Sequence, residues 1–290
     1  MAVKVITDST SYIPRLRREK LDIGIAQLSS LLDGVTYVDD PDACEDFYEA
    51  LAKTSSWPTT SQPSVQGIVD LMEERVSAGH GVVGIFISEV MSGTYSTSLL
   101  ARDIVREKYP DAVIEVIDGR SNCIELGFAV LVAAEAAADG KSIEDVVAVA
   151  TERILHTRFL FTPFTLDYLR RGGRIGNAEA LLGTLLQIKP ILSVVDGATD
   201  TFAKVRTTQK AHDLMMETFA ADVRDKGGLG EVYVHHIHDV AAGRRFADRI
   251  EEVAGRAVEV LPIGPVIGTH VGPGTVGVAY YTNDRMEKSR

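Results

Sequence analysis

The most restrictive feature of this sequence is a repeated order of apolar strand, polar turn and helix through its first half. "VKVITD" is a β-branched run that ends in Asp8-Ser9-Thr10-Ser11. "VVGIFI" empties into a loop carrying Ser92-Gly93-Thr94, and "YSTSLLARDIVREKY" continues it as a helix. "AVIEVID" is a further strand, and residues 121–138 and 142–155 have helical spacing. Alternation of this kind predicts a parallel sheet flanked by helices, whose ligands sit at the carboxyl ends of the strands. Asp8–Ser11 and Ser92–Thr94 both follow strands and are expected along that edge. Between them, residues 23–38 read as two apolar runs turned at Asp33-Gly34, a hairpin signal. "DACEDFYEALAK" and "VQGIVDLMEERVSAG" read as helices on either side of a Pro/Ser/Thr loop, "PTTSQPS".

The second half has a different rhythm. "KPILSVVDGATDTFAKVRT" is a hairpin around Asp196-Gly197, followed by a long helix through "TQKAHDLMMETFAADVRDKG". "EVYVHHI", "AVEVLPI" and "VGVAYY" are strands, with a helix at "VAAGRRFADRIEEVAG". The expected fold class is therefore α/β with two domains. Residues 1–157 form a helix-flanked, mainly parallel sheet. Residues 158–290 form an α+β domain with a mixed or antiparallel sheet, with room for one domain to borrow a segment from the other.

Composition narrows the partners. The formal net charge is −11, so the chain is a poor general ligand for nucleic acid, where phosphate contacts supply most of the affinity. Anionic lipid surfaces repel it as well. Its most apolar stretch, "GFAVLVAAEAAADG", is too short and too polar to span a bilayer. Cys44 and Cys123 do not make a disulfide framework, and "MAVKVITDSTSY" has no signal-peptide core. A cytoplasmic protein without stable membrane insertion is expected.

Ser92 admits three readings: nucleophile, phosphate cradle or seat of another anion. The stretch Val90-Met91-Ser92-Gly93-Thr94 lacks the G-x-S-x-G elbow, and no G-x-x-x-x-G-K-[ST] loop is present. Hydroxyls with backbone N–H groups at a helix start bind an anion; the plain alternative is a helix cap. Thr60 and Ser61 add hydroxyls in "TTSQPS", where capping is again the simpler reading. In "LRRGGRIGNAEALLGTLLQIKP", Gly172-Gly173 stops a helix beside Arg174, and the run at 178–188 is almost wholly apolar. Such a run is core or faces an apolar ligand. Arg206 ends a strand in "AKVRT", and His270 opens the glycine-rich "HVGPGTVG". In "VHHIHD", His236 and His238 share a strand face next to Asp239, but no further cluster completes a metal site at a recognisable spacing. No metal or cofactor is expected.

In order and spacing, "VITDSTSYIP", "TTSQPS", "ISEVMSGTYSTS", "VIDGRSNC", "LDYLRRGGRIGNAEALLGTLLQIKPIL", "AKVRT" and "HVGPGTVG" together resemble the DegV family of bacterial fatty-acid-binding proteins. The resemblance implies two α/β domains with a long-chain fatty acid in an apolar tunnel, its carboxylate at the interface. It implies that Thr60, Ser61, Ser92, Gly93, Thr94 and His270 surround the carboxylate. By the same resemblance Arg174 and Arg206 contact a partner or phosphate, and Leu181, Leu182, Leu185 and Ile188 line the tunnel. Related proteins present the acid to a separate fatty acid kinase subunit, which makes an acyl phosphate for phospholipid synthesis. The sequence departs from the family at "GRSNCIELG", at Met91 and at Gln187, positions that bear on tunnel shape. Two function classes follow: a non-catalytic lipid presenter, and an enzyme (serine hydrolase or small-molecule phosphotransferase) built on the Ser92 loop.

Overall fold

The structure, a computed structural model, describes residues 1–182 and 188–287. The first half runs β1 (Val3–Asp8), α1 (Arg15–Lys20), β2 (Gly24–Ala26), β3 (Ser29–Leu32), β4 (Val35–Val38), α2 (Glu45–Lys53), β5 (Thr59–Ser61), α3 (Val65–Ser77), β6 (Gly81–Phe86), α4 (Thr94–Lys108), β7 (Ile114–Asp118), α5 (Cys123–Ala138) and α6 (Ile143–Ile154). The second runs β8 (Thr157–Thr162), α7 (Asp167–Arg171), β9 (Lys189–Val195), β10 (Ala198–Val205), α8 (Thr208–Asp225), β11 (Leu229–His236), α9 (Val240–Ala254), β12 (Glu259–Pro262), α10 (Pro265–Val271) and β13 (Val276–Thr282).

Strands β2, β1, β6 and β7 pair in that order, all parallel. All six residues of β6 are buried, as helices on both faces require. Val83 and Ile85 face the core shared with α5, whereas Val82 and Phe86 face α3 and α4. The second sheet has the order β10-β9-β8-β13-β11-β12; its pairs are antiparallel except β11 with β12. The expected fold class, a parallel sheet joined to a mixed one, is the one observed. Helix α5 packs against β1 and β6 of one sheet and β8 and β13 of the other. Its alanine-rich, nearly featureless hydrophobicity follows from being buried on both sides. No helix among the described residues is long and apolar enough to cross a membrane.

Three elements differ from the sequence reading. "TRFLFT" was not anticipated as a strand, yet it is β8, in the middle of the larger sheet. Its alternation directs Phe159 and Phe161 to one face and Leu160 to the other. "PVIGTHV", read only as the approach to a turn, is the helix α10. Pro265 fits its first turn, because the missing N–H would have no partner there. Thr59–Ser61, read as loop, is β5, the third strand of a small antiparallel sheet ordered β4-β3-β5.

That small sheet and the chain around it fasten α10. Tyr48 donates its hydroxyl to the Ile263 carbonyl at 2.7 Å, Ser30 and Thr269 share a hydrogen bond at 3.1 Å, and Thr60 reaches His270 at 2.9 Å. At the other end of the helix, the buried Asp39 carboxylate accepts from the Val266 N–H at 2.9 Å, the Ser9 hydroxyl at 2.8 Å and the Tyr12 hydroxyl at 3.0 Å. Burial raises the Asp39 carboxyl to about 6, against the pull of these three donors. A folded-state value above the ordinary one means that the folded chain holds this proton more tightly. The resulting contribution favours folding below pH about 4 and is lost as the pH rises through about 6. A rise from the ordinary carboxyl value to about 6 corresponds to about 3 kcal/mol. Denaturant unfolding of wild type and Asp39→Asn between pH 4 and pH 7 tests this: the wild type should lose stability relative to the variant as the pH rises. Parallel curves for the two would show that Asp39 ionises normally.

Candidate functional site: a cavity between the two sheets

A cavity of about 340 Å3 lies where the carboxyl ends of the first sheet meet one face of the second. This size falls within the range of small-molecule sites. Its apolar wall comes from Ile87 and Met91 after β6, Phe159 and Phe161 on β8, Leu169 on α7, Val194 on β9 and Ile263 and Ile267 around α10. Its polar part comes from Thr60, Ser61, Gln62, Ser92, Gly93, Arg174 and His270. The structure thus brings together five of the six residues expected at a head group. Thr94 is fully buried behind them.

Local hydrogen bonds hold the Ser92 loop. The buried Asp8 carboxylate accepts from the Ile87 N–H at 2.7 Å and the Thr10 N–H at 3.0 Å, joining the ends of β1 and β6. Ser88 donates its hydroxyl to the Gly197 carbonyl at 2.7 Å and so ties the loop to the β9–β10 turn. The Ser92 hydroxyl accepts from the Thr94 N–H at 3.3 Å and pairs with the Thr94 hydroxyl at 2.8 Å. Helix α4 begins immediately after Gly93, with no side-chain cap at that residue. Gly93 is needed for close approach: a Cβ there would stand 2.2 Å from the Gln62 amide oxygen. Gln62, which sequence reasoning passed over, is itself anchored to the Thr97 hydroxyl at 2.6 Å.

His270 projects from the last turn of α10. Burial, reinforced by the nearby Arg174 charge, lowers it to about 4. It is therefore a neutral imidazole at neutral pH. Its Nε2 faces the Thr60 hydroxyl, and its buried Nδ1 has no hydrogen-bond partner among the described residues. A Cβ at position 172 would stand 2.3 Å from that nitrogen, so glycine there lets α7 end against the ring. The Arg174 guanidinium donates to the Met91 carbonyl at 3.1 Å and the Gly172 carbonyl at 2.6 Å. No carboxylate among the described residues pairs with it.

Other expected residues lie elsewhere. Arg206 is exposed and does not line the cavity. It follows β10 at the end remote from Gly197, roughly 23 Å along an extended chain from Thr199 at the cavity wall. Leu181 is buried in the core, and Leu182 and Ile188 are each more than one-third exposed. None of the three lines the cavity; its apolar wall comes from several elements, among them Phe159 and Phe161 of the unanticipated β8. Leu185 and Gln187 lie outside the described residues. The histidine run packs structurally: His235 accepts from the Ile124 N–H and contacts the Leu261 carbonyl, each at 3.2 Å, and His236 accepts from the Asp239 N–H. No group of three or more potential metal ligands occurs among the described residues.

The arrangement lacks the relay of a serine hydrolase. Ser92 bonds to Thr94, His270 bonds to Thr60, and no carboxylate orients the imidazole among the described residues. What it offers an anion is a set of hydroxyls, a helix start and a neutral ring above an apolar cavity.

Comparison with known proteins places nearly the whole chain in one family. The family described as "Uncharacterised protein, DegV family" matches residues 2–283. A DegV domain-containing protein of Clostridium acetobutylicum is 47% identical over 286 residues, 99% of this chain and 100% of the relative. A stearic acid-binding protein from Eubacterium ventriosum superposes with a TM-score of 0.87 at 27% identity, covering 97% of this chain and 98% of that one. DegV of Bacillus subtilis, described as a fatty acid binding protein, superposes with a TM-score of 0.84 at 30% identity, covering 98% and 100%. Over residues 2–283, from before β1 to just past β13, this chain belongs to the DegV family.

Proposed function

We propose that this chain binds a long-chain fatty acid, with its carboxylate in the cradle of Thr60, Ser61, Ser92 and His270 and its tail in the apolar cavity, and presents it to a separate kinase in the cytoplasm. The single observation that carries this reading is the neutral, partly buried His270 beside hydroxyl groups at one end of a cavity with a mainly apolar wall. Such a cradle satisfies a carboxylate without a tight salt bridge, which leaves the head group open to phosphorylation. The tail supplies the affinity. At roughly 0.8 kcal/mol per buried methylene, ~14 methylenes contribute about 11 kcal/mol gross, before the costs of ordering and association. The fatty acids named for the structural neighbours support the ligand class. A chain that presents its ligand needs no catalytic residue of its own, and the separation of Ser92 from His270's hydrogen bond favours this over hydrolysis.

Mass spectrometry of the organic extract from natively purified protein should find a long-chain fatty acid in stoichiometric amount. Ser92→Ala should weaken binding by about 1–2 kcal/mol, the cost of losing a donor to a buried anion. Delipidated protein that binds no acid of roughly fourteen to eighteen carbons would remove the ligand assignment, and an esterase activity abolished by Ser92→Ala would restore the hydrolase.

Handover calls for groups outside the tail's reach. Arg206 is exposed and distant from the cavity, and a guanidinium clamps phosphate or carboxylate bidentately. Arg206→Ala should keep fatty-acid affinity while acyl-phosphate formation, measured with the cognate kinase and ATP, falls at least tenfold (a loss of about 1.4 kcal/mol). Undiminished turnover would exclude Arg206 from the partner surface.

A further inference from the structure

Of the polar side chains that line the cavity outside the carboxylate cradle, Gln62, Arg174 and Thr275 each donate to an oxygen, whereas Asn122 and Thr199 do not. Asn122 caps the start of α5 in sequence position, but its side chain makes no cap hydrogen bond. It lines the cavity instead, is 8% exposed, and its amide's hydrogen-bond partner is the Met91 thioether sulfur at 3.0 Å. A thioether is a weak acceptor. Thr199, on β10, also lines the cavity, is 4% exposed, and its hydroxyl makes no hydrogen bond to a described residue. The two belong to facing elements. The loop before α5 is joined to the β9–β10 turn by the Arg120–Asp196 ion pair at 2.9 Å, and these anchors stand two and three residues from Asn122 and Thr199. Around them the wall is apolar: Met91, Phe159 and Val194.

Buried amides and hydroxyls are ordinarily paired, and each one left unpaired costs about 1–3 kcal/mol. A saturated hydrocarbon tail passing this point would seal both groups away from water without offering either a partner. An acyl chain bearing an oxygen there would satisfy them. A hydroxyl serves both: it accepts from the Asn122 amide N–H and pairs with the Thr199 hydroxyl. We propose that the cavity is adapted to an oxygenated long-chain acid, a hydroxy fatty acid whose chain hydroxyl is bound by Asn122 and Thr199. This rests on the fatty-acid reading above and specifies the class of acid.

The test is calorimetric titration of the full-length, delipidated chain with stearic acid and with a series of hydroxystearic acids carrying the hydroxyl at successive positions. At one position or a short span of positions, the hydroxy acid should bind roughly fivefold tighter than stearic acid, the yield of one net hydrogen bond. Asn122→Leu and Thr199→Val, near-isosteric changes, should each erase that preference while leaving stearic acid affinity unchanged or improved. Circular dichroism and melting confirm that both variants are folded; if one is not, the other decides alone. Stearic acid binding as tightly as every hydroxy acid would overturn the proposal and leave the fatty-acid reading intact. If Asn122→Leu weakened stearic and hydroxystearic acid equally, Asn122 would be a carboxylate anchor and the proposal would fail. Binding of none of these acids would overturn both readings.

Discussion

The site depends on how α10 is held. This one short helix carries His270 at its last turn and Val266 and Ile267 along the cavity, and its fastenings come from the other half of the chain. Asp39 accepts the Val266 N–H at one end, where Tyr48 also holds the Ile263 carbonyl just before the helix, while Ser30 meets Thr269 and Thr60 meets His270 at the other. These partners lie more than 200 residues away in sequence. Folding the first half thus places the imidazole of the second. It also takes His270 out of water, and that desolvation is what keeps the ring neutral. A cationic imidazole would add a second positive charge beside Arg174; a neutral one leaves the guanidinium as the cation next to the hydroxyls.

The same division of labour explains the cavity. The parallel sheet supplies loops, because the carboxyl ends of its strands open at one edge, and those loops carry Ser92, Gly93 and Met91. The mixed sheet supplies a flat face, on which alternation brings Phe159, Phe161 and Val194 to one side. Helix α5, buried between the sheets, sets their separation. Gly93 and Gly172 admit Gln62 and His270 closer than any side chain would allow. The Ser92 loop and α10 each contribute both polar and apolar groups to the cavity, Ser92 beside Met91 and His270 beside Ile267, whereas the second sheet contributes chiefly apolar ones.

Much of this was legible in the residues. The strand–turn–helix order of the first half identified the sheet edge, and Ser92, Gly93, Thr60, Ser61 and His270 were drawn from motifs that do meet there. The failures have physical causes. "TRFLFT" follows closely on a helix with no glycine or proline to mark the change and lies across the expected domain boundary at 157/158, so a strand of six residues was left unassigned. Helix α10 has only seven residues, with Gly268 inside it and Gly264 and Gly272 flanking it, too little periodicity to announce itself. The apolar 178–188 run read as either core or the wall of an apolar site, and the family resemblance pointed to the tunnel; hydrophobicity alone does not say which cavity a segment faces. Within it, Leu181 packs into the core, and Leu182 and Ile188 are partly exposed. Gln62 and Asn122 carry no sequence signal: each matters only because a distant segment folds against it.

The account's central claim is that an acyl carboxylate occupies the cradle formed by Thr60, Ser92 and His270. A crystal structure of the chain loaded with stearic acid tests it most directly. The account predicts carboxylate oxygens within hydrogen-bonding distance, roughly 3 Å, of the Ser92 hydroxyl and of Thr60 or His270, with the tail running over Phe159 and Phe161. A carboxylate bound at any other site, or a methyl end lodged at Ser92 with the carboxylate in solvent, would contradict it.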